Sequence, residues 1–162
     1  MREVDRLRRE LEATLDGDPW YGTAVSQILE GVEASHAAAH PVKGAHSIWE
    51  LVAHMTAWAN ETSRRLRGGA HGAPAEGDWP AVTSTSAESW QSARLALDRA
   101  HASLAATLTA MDDADLESQI AGAQVDAAGQ PVTAYQTIAG LLQHDTYHAG
   151  QIAILKKALG LA

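Results

Sequence analysis

Three short motifs that start helices constrain the fold of this chain more than any other feature. Ser47-Ile48-Trp49-Glu50 and Thr85-Ser86-Ala87-Glu88 have the S/T-x-x-E pattern of a capping box, and Thr133-Ala134-Tyr135-Gln136 has the T-x-x-Q form. In such a box the first side chain accepts a hydrogen bond from the backbone N–H three residues on, and the fourth side chain accepts one in return. Apolar residues at helical spacing follow each box, so the sequence predicts three long helices.

Two further helices are predicted before the first box. Val4, Leu7 and Leu11 follow helical spacing up to Gly17, and Asp18-Pro19 then suits the start of another helix. The predicted helices span residues 2–15, 19–36, 48–67, 85–110 and 133–159, the first of them short. Long connections follow at 68–84 and 111–132, and Gln119 to Val132 alternates enough to permit a small hairpin around Ala128-Gly129. Four long amphipathic helices without a strand core predict an all-α fold, a four-helix bundle with long crossover connections, in one domain over residues 1–162.

Composition and charge exclude several classes of function. The chain has 162 residues and no cysteine, which excludes disulfides, thiolate metal sites and cysteine nucleophiles. Its net charge of −8 and scattered basic residues argue against a nucleic-acid partner. The charged N-terminus does not resemble a secretory signal, and no apolar run is long enough for a membrane helix, so we expect a cytoplasmic protein without a membrane partner.

Three histidines are the strongest candidates for chemistry. His144 and His148 lie four residues apart on one helix face, and His54 falls on the apolar stripe of another helix with Leu51 and Trp58. A single histidine on such a face is more often a hydrogen-bonded core residue than a metal ligand. Three buried imidazoles would leave ring nitrogens without partners, and this favours a shared ion. The sequence therefore predicts a metal site at His54, His144 and His148 with open coordination positions, suited to Zn²⁺ or Ni²⁺ rather than Mg²⁺ or Ca²⁺.

Several neighbouring residues have open roles. Asp145 either accepts a hydrogen bond from a ligand or is an exposed acid, and Gln151 either bonds near the site or points towards a partner chain. Glu50 completes its capping box, orients His54 or serves as a base, and Trp58 packs in the core or walls the site. For Glu61 we expect a solvent-facing position or one at the rim, for Tyr147 packing against a neighbouring helix or subunit, and for Gly150 a close helix approach. The remaining histidines are predicted to be surface or packing residues, with His101 in the core or behind a ligand: His36, His40, His46, His71 and His101.

The segment His144-Asp145-Thr146-Tyr147-His148-Ala149-Gly150-Gln151 closely resembles the last helix of the DinB/YfiT-like superfamily. Residues 47–55 resemble its second helix, and Trp79-Pro80 and residues 86–90 resemble its middle region. The resemblance implies a four-helix bundle with a long crossover, often dimeric, and one divalent metal held by the three histidines. Members have been assigned as metal-dependent transferases and isomerases that use low-molecular-weight thiols, and as hydrolases. The family name reflects induction by DNA damage and does not indicate DNA binding.

Three interpretations of function follow. The first is a metal-dependent enzyme of thiol-transferase or hydrolase type that acts on a small-molecule substrate, with a low-molecular-weight thiol as an expected partner and a homodimer as the expected assembly. The second is a non-catalytic, stress-associated bundle in which the ion stabilises the fold or is sensed. The third is an interaction bundle with a polar core and no metal. No residue is assigned as general base or other catalytic group.

Overall fold

The computed structural model describes residues 1–123, 125 and 129–161, and helices dominate this part of the chain. The described residues form six α-helices and a 3₁₀ helix at Asp115–Glu117. The α-helices are α1 (Glu3–Asp16), α2 (Val25–Ile28), α3 (Ala34–Ala38), α4 (Ile48–Leu66), α5 (Ala87–Thr109) and α6 (Ala134–Ala158). The predicted all-α class is confirmed.

The predicted helix starts agree closely with the structure. In α4 the Ser47 hydroxyl accepts from the Glu50 N–H at 3.2 Å, and Glu50 accepts from the Ser47 N–H at 2.7 Å. Thr133 and Gln136 form the same reciprocal pair at α6. The box predicted at Thr85 is wrong by one residue, because Ser86 is the N-cap of α5 and accepts from the Ser89 N–H. Ser89 stands where a capping box needs Glu or Gln, so α5 has a single capping bond.

The long helix predicted for residues 19–36 is wrong. The chain makes a turn in which the Gly22 N–H donates to the Pro19 carbonyl at 3.0 Å, and only α2 and α3 follow. Gly22 has φ +131° and Gly31 has φ +71°, values that a right-handed helix does not tolerate. The two glycines therefore divide the segment, and Tyr21 is partly exposed instead of packed inward.

The four long helices of the structure are α1, α4, α5 and α6. Helices α4 and α1 each pack against both α5 and α6, so the four surround a common interior. One apolar cluster lies around Leu51, Met55 and Ile152, and a second lies around Ala59, Ile138 and Leu141. His144 and His148 fall between the two clusters along α6, and His54 lies on α4 among members of the first cluster. The buried Glu61 lies two turns further along α4, so the polar residues of the interior are not all at the level of the histidines.

The two long connections lie against the outside of these helices. Residues 67–86 form an irregular loop that is held by the last turns of α4. In the second connection, isolated antiparallel bridges pair Gln119 with Thr133 and Val125 with Pro131, where the hairpin is predicted. Ala128, at the predicted turn, lies outside the described residues. Among the described helices, none combines the length and the apolar character needed to cross a membrane.

Candidate metal centre

The side chains of His54, His144 and His148 meet at one point between α4 and α6. The Nε2 atom of His144 lies 2.8 Å from that of His54 and 3.1 Å from that of His148. His54 and His148 are each 5% exposed, whereas the side chain of His144 is 25% exposed. The structure therefore brings together all three predicted ligands, with one of them open to solvent.

Each of the three rings is held from its other nitrogen by an oxygen atom. Nδ1 of His54 lies 2.5 Å from the Asp78 carbonyl, Nδ1 of His148 lies 2.7 Å from the Gln151 side-chain carbonyl, and Nδ1 of His144 lies 3.2 Å from an Asp145 carboxylate oxygen. Carbonyl and carboxylate oxygens only accept hydrogen bonds, so each Nδ1 carries the proton and donates. In the neutral rings, each Nε2 is then left with a lone pair.

Three lone pairs directed at one point repel each other unless a positive charge lies between them. The short Nε2–Nε2 contacts are therefore not ordinary hydrogen bonds in this tautomer. Tetrahedral Zn²⁺ with Zn–N bonds of about 2.0–2.1 Å holds its nitrogen ligands about 3.3 Å apart, so the 2.8 Å and 3.1 Å contacts of His144 would lengthen by a few tenths of an ångström around such an ion. An oxygen acceptor on the second nitrogen is also the usual arrangement behind a ligating histidine. The three side chains could therefore hold one metal ion.

Burial keeps two of these imidazoles in the form that binds metal. Desolvation lowers the pKa of His54 and outweighs the opposing effect of its bond to Asp78. Desolvation also lowers the pKa of His148, against the effect of Gln151. Both rings are therefore neutral and available as ligands at neutral pH.

Asp145 links the site to α5 through a buried ion pair. It is fully buried, and its second carboxylate oxygen lies 2.8 Å from Nε2 of His101, which is 3% exposed. Nδ1 of His101 lies 3.1 Å from the Leu97 carbonyl, so both nitrogens of His101 face acceptors and both must carry protons. Burial opposes the charge on each partner, but their mutual hydrogen bond prevails, raising the pKa of His101 and lowering that of Asp145. The carboxylate of Asp145 thus orients the His144 ring through Nδ1, the nitrogen that does not face the other two histidines.

The loop at 67–86 closes one side of the site. Trp79 stacks on His54 with ring centroids 3.9 Å apart and planes 8° from parallel, and His46 stacks on Trp79 in the same way at 3.5 Å. The indole N–H of Trp58 donates to the Asp78 carboxylate at 2.8 Å. The loop therefore supplies both the acceptor for His54 and an aromatic cover for its ring.

The structure decides several roles that the sequence leaves open. Asp145 and Gln151 both bond to candidate ligands, whereas Glu50 serves its capping box and also bonds to His40 at 3.0 Å. Tyr147 is 65% exposed, with its ring 5.1 Å from that of His148. Trp58 does lie beside the site, with its ring 6.1 Å from that of His144.

Two expectations about neighbouring residues are wrong. Glu61 is 3% exposed rather than at a rim, and it accepts hydrogen bonds from Arg64 and Arg65. Gly150 does not mediate a close helix approach within this chain, because a Cβ atom added there would meet nothing within 4 Å. The residues that sequence reasoning missed are Asp78 and Trp79 as contacts of His54. They lie in a loop without periodicity, and only the Trp79-Pro80 resemblance pointed to that segment.

Comparison with known proteins gives one family. A search of the curated proteins returned no match, and neither did a search of the solved structures. The family model described as the DinB superfamily matches residues 22–152, which is most of the chain and includes the three histidines with all of the groups that orient them. The chain belongs to the DinB superfamily.

Proposed function

We propose that this protein is a metal-dependent enzyme that holds one divalent ion, Zn²⁺ or Ni²⁺, through Nε2 of His54, His144 and His148. The observation that carries the proposal is the convergence of three unprotonated nitrogens, each fixed by an oxygen acceptor on its opposite side. Three protein ligands leave coordination positions open, which is the arrangement of catalytic rather than structural metal sites.

The residues around the ligands have separate tasks in this proposal. Asp145 holds His144 in its tautomer, Gln151 does the same for His148, and Trp79 excludes water from one face of His54. The partial exposure of His144 supports approach of a small-molecule substrate from its side of the site. When bound, the ion supplies a Lewis acid that lowers the pKa of water or of a thiol, giving hydrolysis or thiol transfer.

The main competing interpretation is a non-catalytic bundle in which the ion only stabilises the fold or is sensed. One observation favours it. Both carboxylates that contact candidate ligands already accept hydrogen bonds: Asp145 accepts from His101 and His144, and Asp78, with Oδ1 3.5 Å from Nδ1 of His54, accepts from the Trp58 indole. A catalytic function would then need its nucleophile to be activated by the metal alone.

We also propose a homodimer. Tyr147 and Ile154 are each 65% exposed on α6, and Trp20 is fully exposed in the turn before α2. Large apolar side chains grouped on an outer face are common at protein–protein contacts. Light scattering coupled to size-exclusion chromatography is expected to give twice the mass of the chain, and a monomer at all concentrations would contradict this part of the proposal.

Metal analysis of protein purified without a His-tag tests the site. We expect about one Zn²⁺ or Ni²⁺ per chain in the wild type and in His40→Ala, which removes an exposed histidine, and little metal in the His144→Ala/His148→Ala variant. Equal trace metal in all three proteins would show that these histidines are not ligands. A panel of thiol-conjugation and ester-hydrolysis substrates then tests the reaction. Metal binding without turnover on the panel would favour the non-catalytic interpretation.

A further inference from the structure

A cavity of about 280 Å³ adjoins the candidate metal centre on its open side. Its walls include His144, Trp58 and Leu141, together with Arg65 from the last turn of α4. Its size is near the lower end of small-molecule sites, which are roughly 300–1,000 Å³. A molecule in this cavity would therefore lie against the most exposed of the three histidines.

Arg65 is held firmly at the wall of this cavity. Its Nε donates to Glu61 at 2.7 Å, its Nη2 donates to the Gly72 carbonyl at 2.5 Å, and its guanidinium carbon lies 5.4 Å from the Trp58 ring centroid. The side chain is only 10% exposed. Within the described residues, Nη1 of Arg65 has no protein partner. The guanidinium is thus rigid and nearly buried, with one free pair of N–H donors.

The charge around Arg65 is not balanced. Glu61, whose side chain is 1% exposed, is the carboxylate that both Arg64 and Arg65 contact. Arg64 donates twice to Glu61 and is 45% exposed, but it does not line the cavity. Two guanidinium groups share one carboxylate, which leaves one positive charge without a partner. Because a carboxylate carries one negative charge and a phosphate ester carries about 1.5 to 2, the cluster matches a carboxylate better.

We propose that this cavity binds the carboxylate group of a small organic acid through Nη1 of Arg65. The apolar body of the ligand packs against Trp58 and Leu141, and its far end lies beside His144. The cavity is the substrate site only if the proposed metal-dependent function holds, but the binding of the carboxylate does not require the metal. The proposal therefore names a substrate class, small carboxylic acids, for the same site.

Ligand-observed NMR titrations with benzoate and its neutral analogue benzamide test this assignment. The titrations are made on the full chain, metal-free and with Zn²⁺ added, for wild type, Arg65→Met and Arg64→Met. The two variants are matched because each removes one guanidinium from Glu61 and one contact to the loop, but only Arg65 lines the cavity. Since hydrogen bonds to a charged group are the stronger class, we expect wild type to prefer benzoate by about tenfold or more. Arg65→Met should lose that preference, whereas Arg64→Met keeps the Nη1 donors of Arg65 and removes only the excess charge, so it should keep part of the preference.

The outcomes separate this proposal from the metal site. Equal binding of benzoate and benzamide to wild type, or a preference that survives Arg65→Met, overturns the carboxylate site. If Arg65→Met does not fold, as judged by circular dichroism, the wild-type comparison and Arg64→Met decide the matter. Zn²⁺ uptake without a benzoate preference leaves the metal function intact and refutes only the cavity. A benzoate preference that depends on Arg65 in a protein that takes up no Zn²⁺ supports the cavity and refutes the metal function.

Discussion

Replacement of Asp145 by asparagine tests the buried network behind His144 most directly. The carboxylate accepts from His101 at 2.8 Å and from His144 at 3.2 Å, and it is fully buried. The side-chain amide that Asp145→Asn introduces is neutral and has only one oxygen, so it can satisfy one imidazole and must turn a donor towards the other. The variant therefore leaves the charge of His101 without its counter-ion.

The expected cost follows from the burial of both partners. Breaking a buried ion pair by removing one partner costs about 3–5 kcal/mol. Because the amide still accepts one hydrogen bond, and because His101 can give up its proton, we expect the lower end, about 3 kcal/mol. For a chain of this size, each kcal/mol lowers Tm by roughly 2–4 °C, so the fall should be on the order of 10 °C. Loss of a group that orients a ligand should also weaken Zn²⁺ binding by roughly 10–100-fold.

Thermal melting of the metal-free protein, followed by circular dichroism, measures the first effect, and Zn²⁺ titration calorimetry measures the second. Asp18→Asn is the control, since it makes the same substitution at an exposed position away from His101 and should change stability by no more than about 0.5 kcal/mol. In a His101→Leu background the cost of Asp145→Asn should be smaller, because the imidazolium that would lose its counter-ion is absent. An equal cost in both backgrounds, or a cost no greater than that of Asp18→Asn, would refute the network.

Three further predictions follow from other parts of the structure. Zn²⁺ at about 1,000 times its Kd should stabilise the wild type by about 4 kcal/mol in chemical denaturation, and it should leave His144→Ala/His148→Ala unchanged; equal stabilisation of both would place the metal elsewhere. Burial raises the pKa of Glu61, but the hydrogen bonds from Arg64 and Arg65 outweigh it and hold that pKa below its ordinary value, so the contribution of Glu61 to stability is present above the ordinary value and is lost as the pH falls through the lowered pKa. Urea unfolding from pH 6 to pH 3 should therefore show a smaller acid-induced loss for Glu61→Gln than for wild type, and parallel losses would contradict this ion pair. Gly150→Ala adds a methyl group that meets open space within one chain, so it should stabilise dilute, monomeric protein by up to about 1 kcal/mol. Because Gly150 lies on the same face of α6 as Tyr147 and Ile154, the gain should shrink or reverse at concentrations where the proposed dimer forms, and an equal gain at all concentrations would contradict the use of this face.

Local patterns in the sequence were enough to predict the parts of the fold that depend on local interactions. The boxes at Ser47 and Thr133 begin α4 and α6 as predicted, because a cap involves residues only three positions apart. The prediction of one long helix at 19–36 was wrong because its length depended on apolar spacing alone. That spacing is helical, but Gly22 and Gly31 adopt positive φ, and a glycine within an apolar pattern does not reveal its dihedral angles.

The candidate metal centre also has contacts that a local sequence pattern predicts and contacts that depend on the packing of distant elements. His144, His148 and Gln151 lie on one helix at spacings of four and three residues, so their side chains are neighbours in any structure in which α6 forms. The role of Asp145 could not be decided from the sequence, because a residue next to a ligand faces either a partner helix or solvent, depending on packing. Only the position of α5 decides this, since it brings His101 to the carboxylate.

The third ligand depends on contacts that no local pattern specifies. His54 is oriented by the carbonyl of Asp78 and covered by Trp79, 24 and 25 positions further along the chain. That loop is attached to α4 through Arg64 and Arg65, which bond to the carbonyls of Ala70 and Gly72. The two arginines are in turn held by Glu61, so one buried carboxylate positions both the loop that orients His54 and the guanidinium that lines the adjoining cavity. Replacing Glu61 should therefore change the orientation of His54 while leaving His144 and His148 in place. The hydrogen-bond acceptors of His144 and His148 lie on α6 itself.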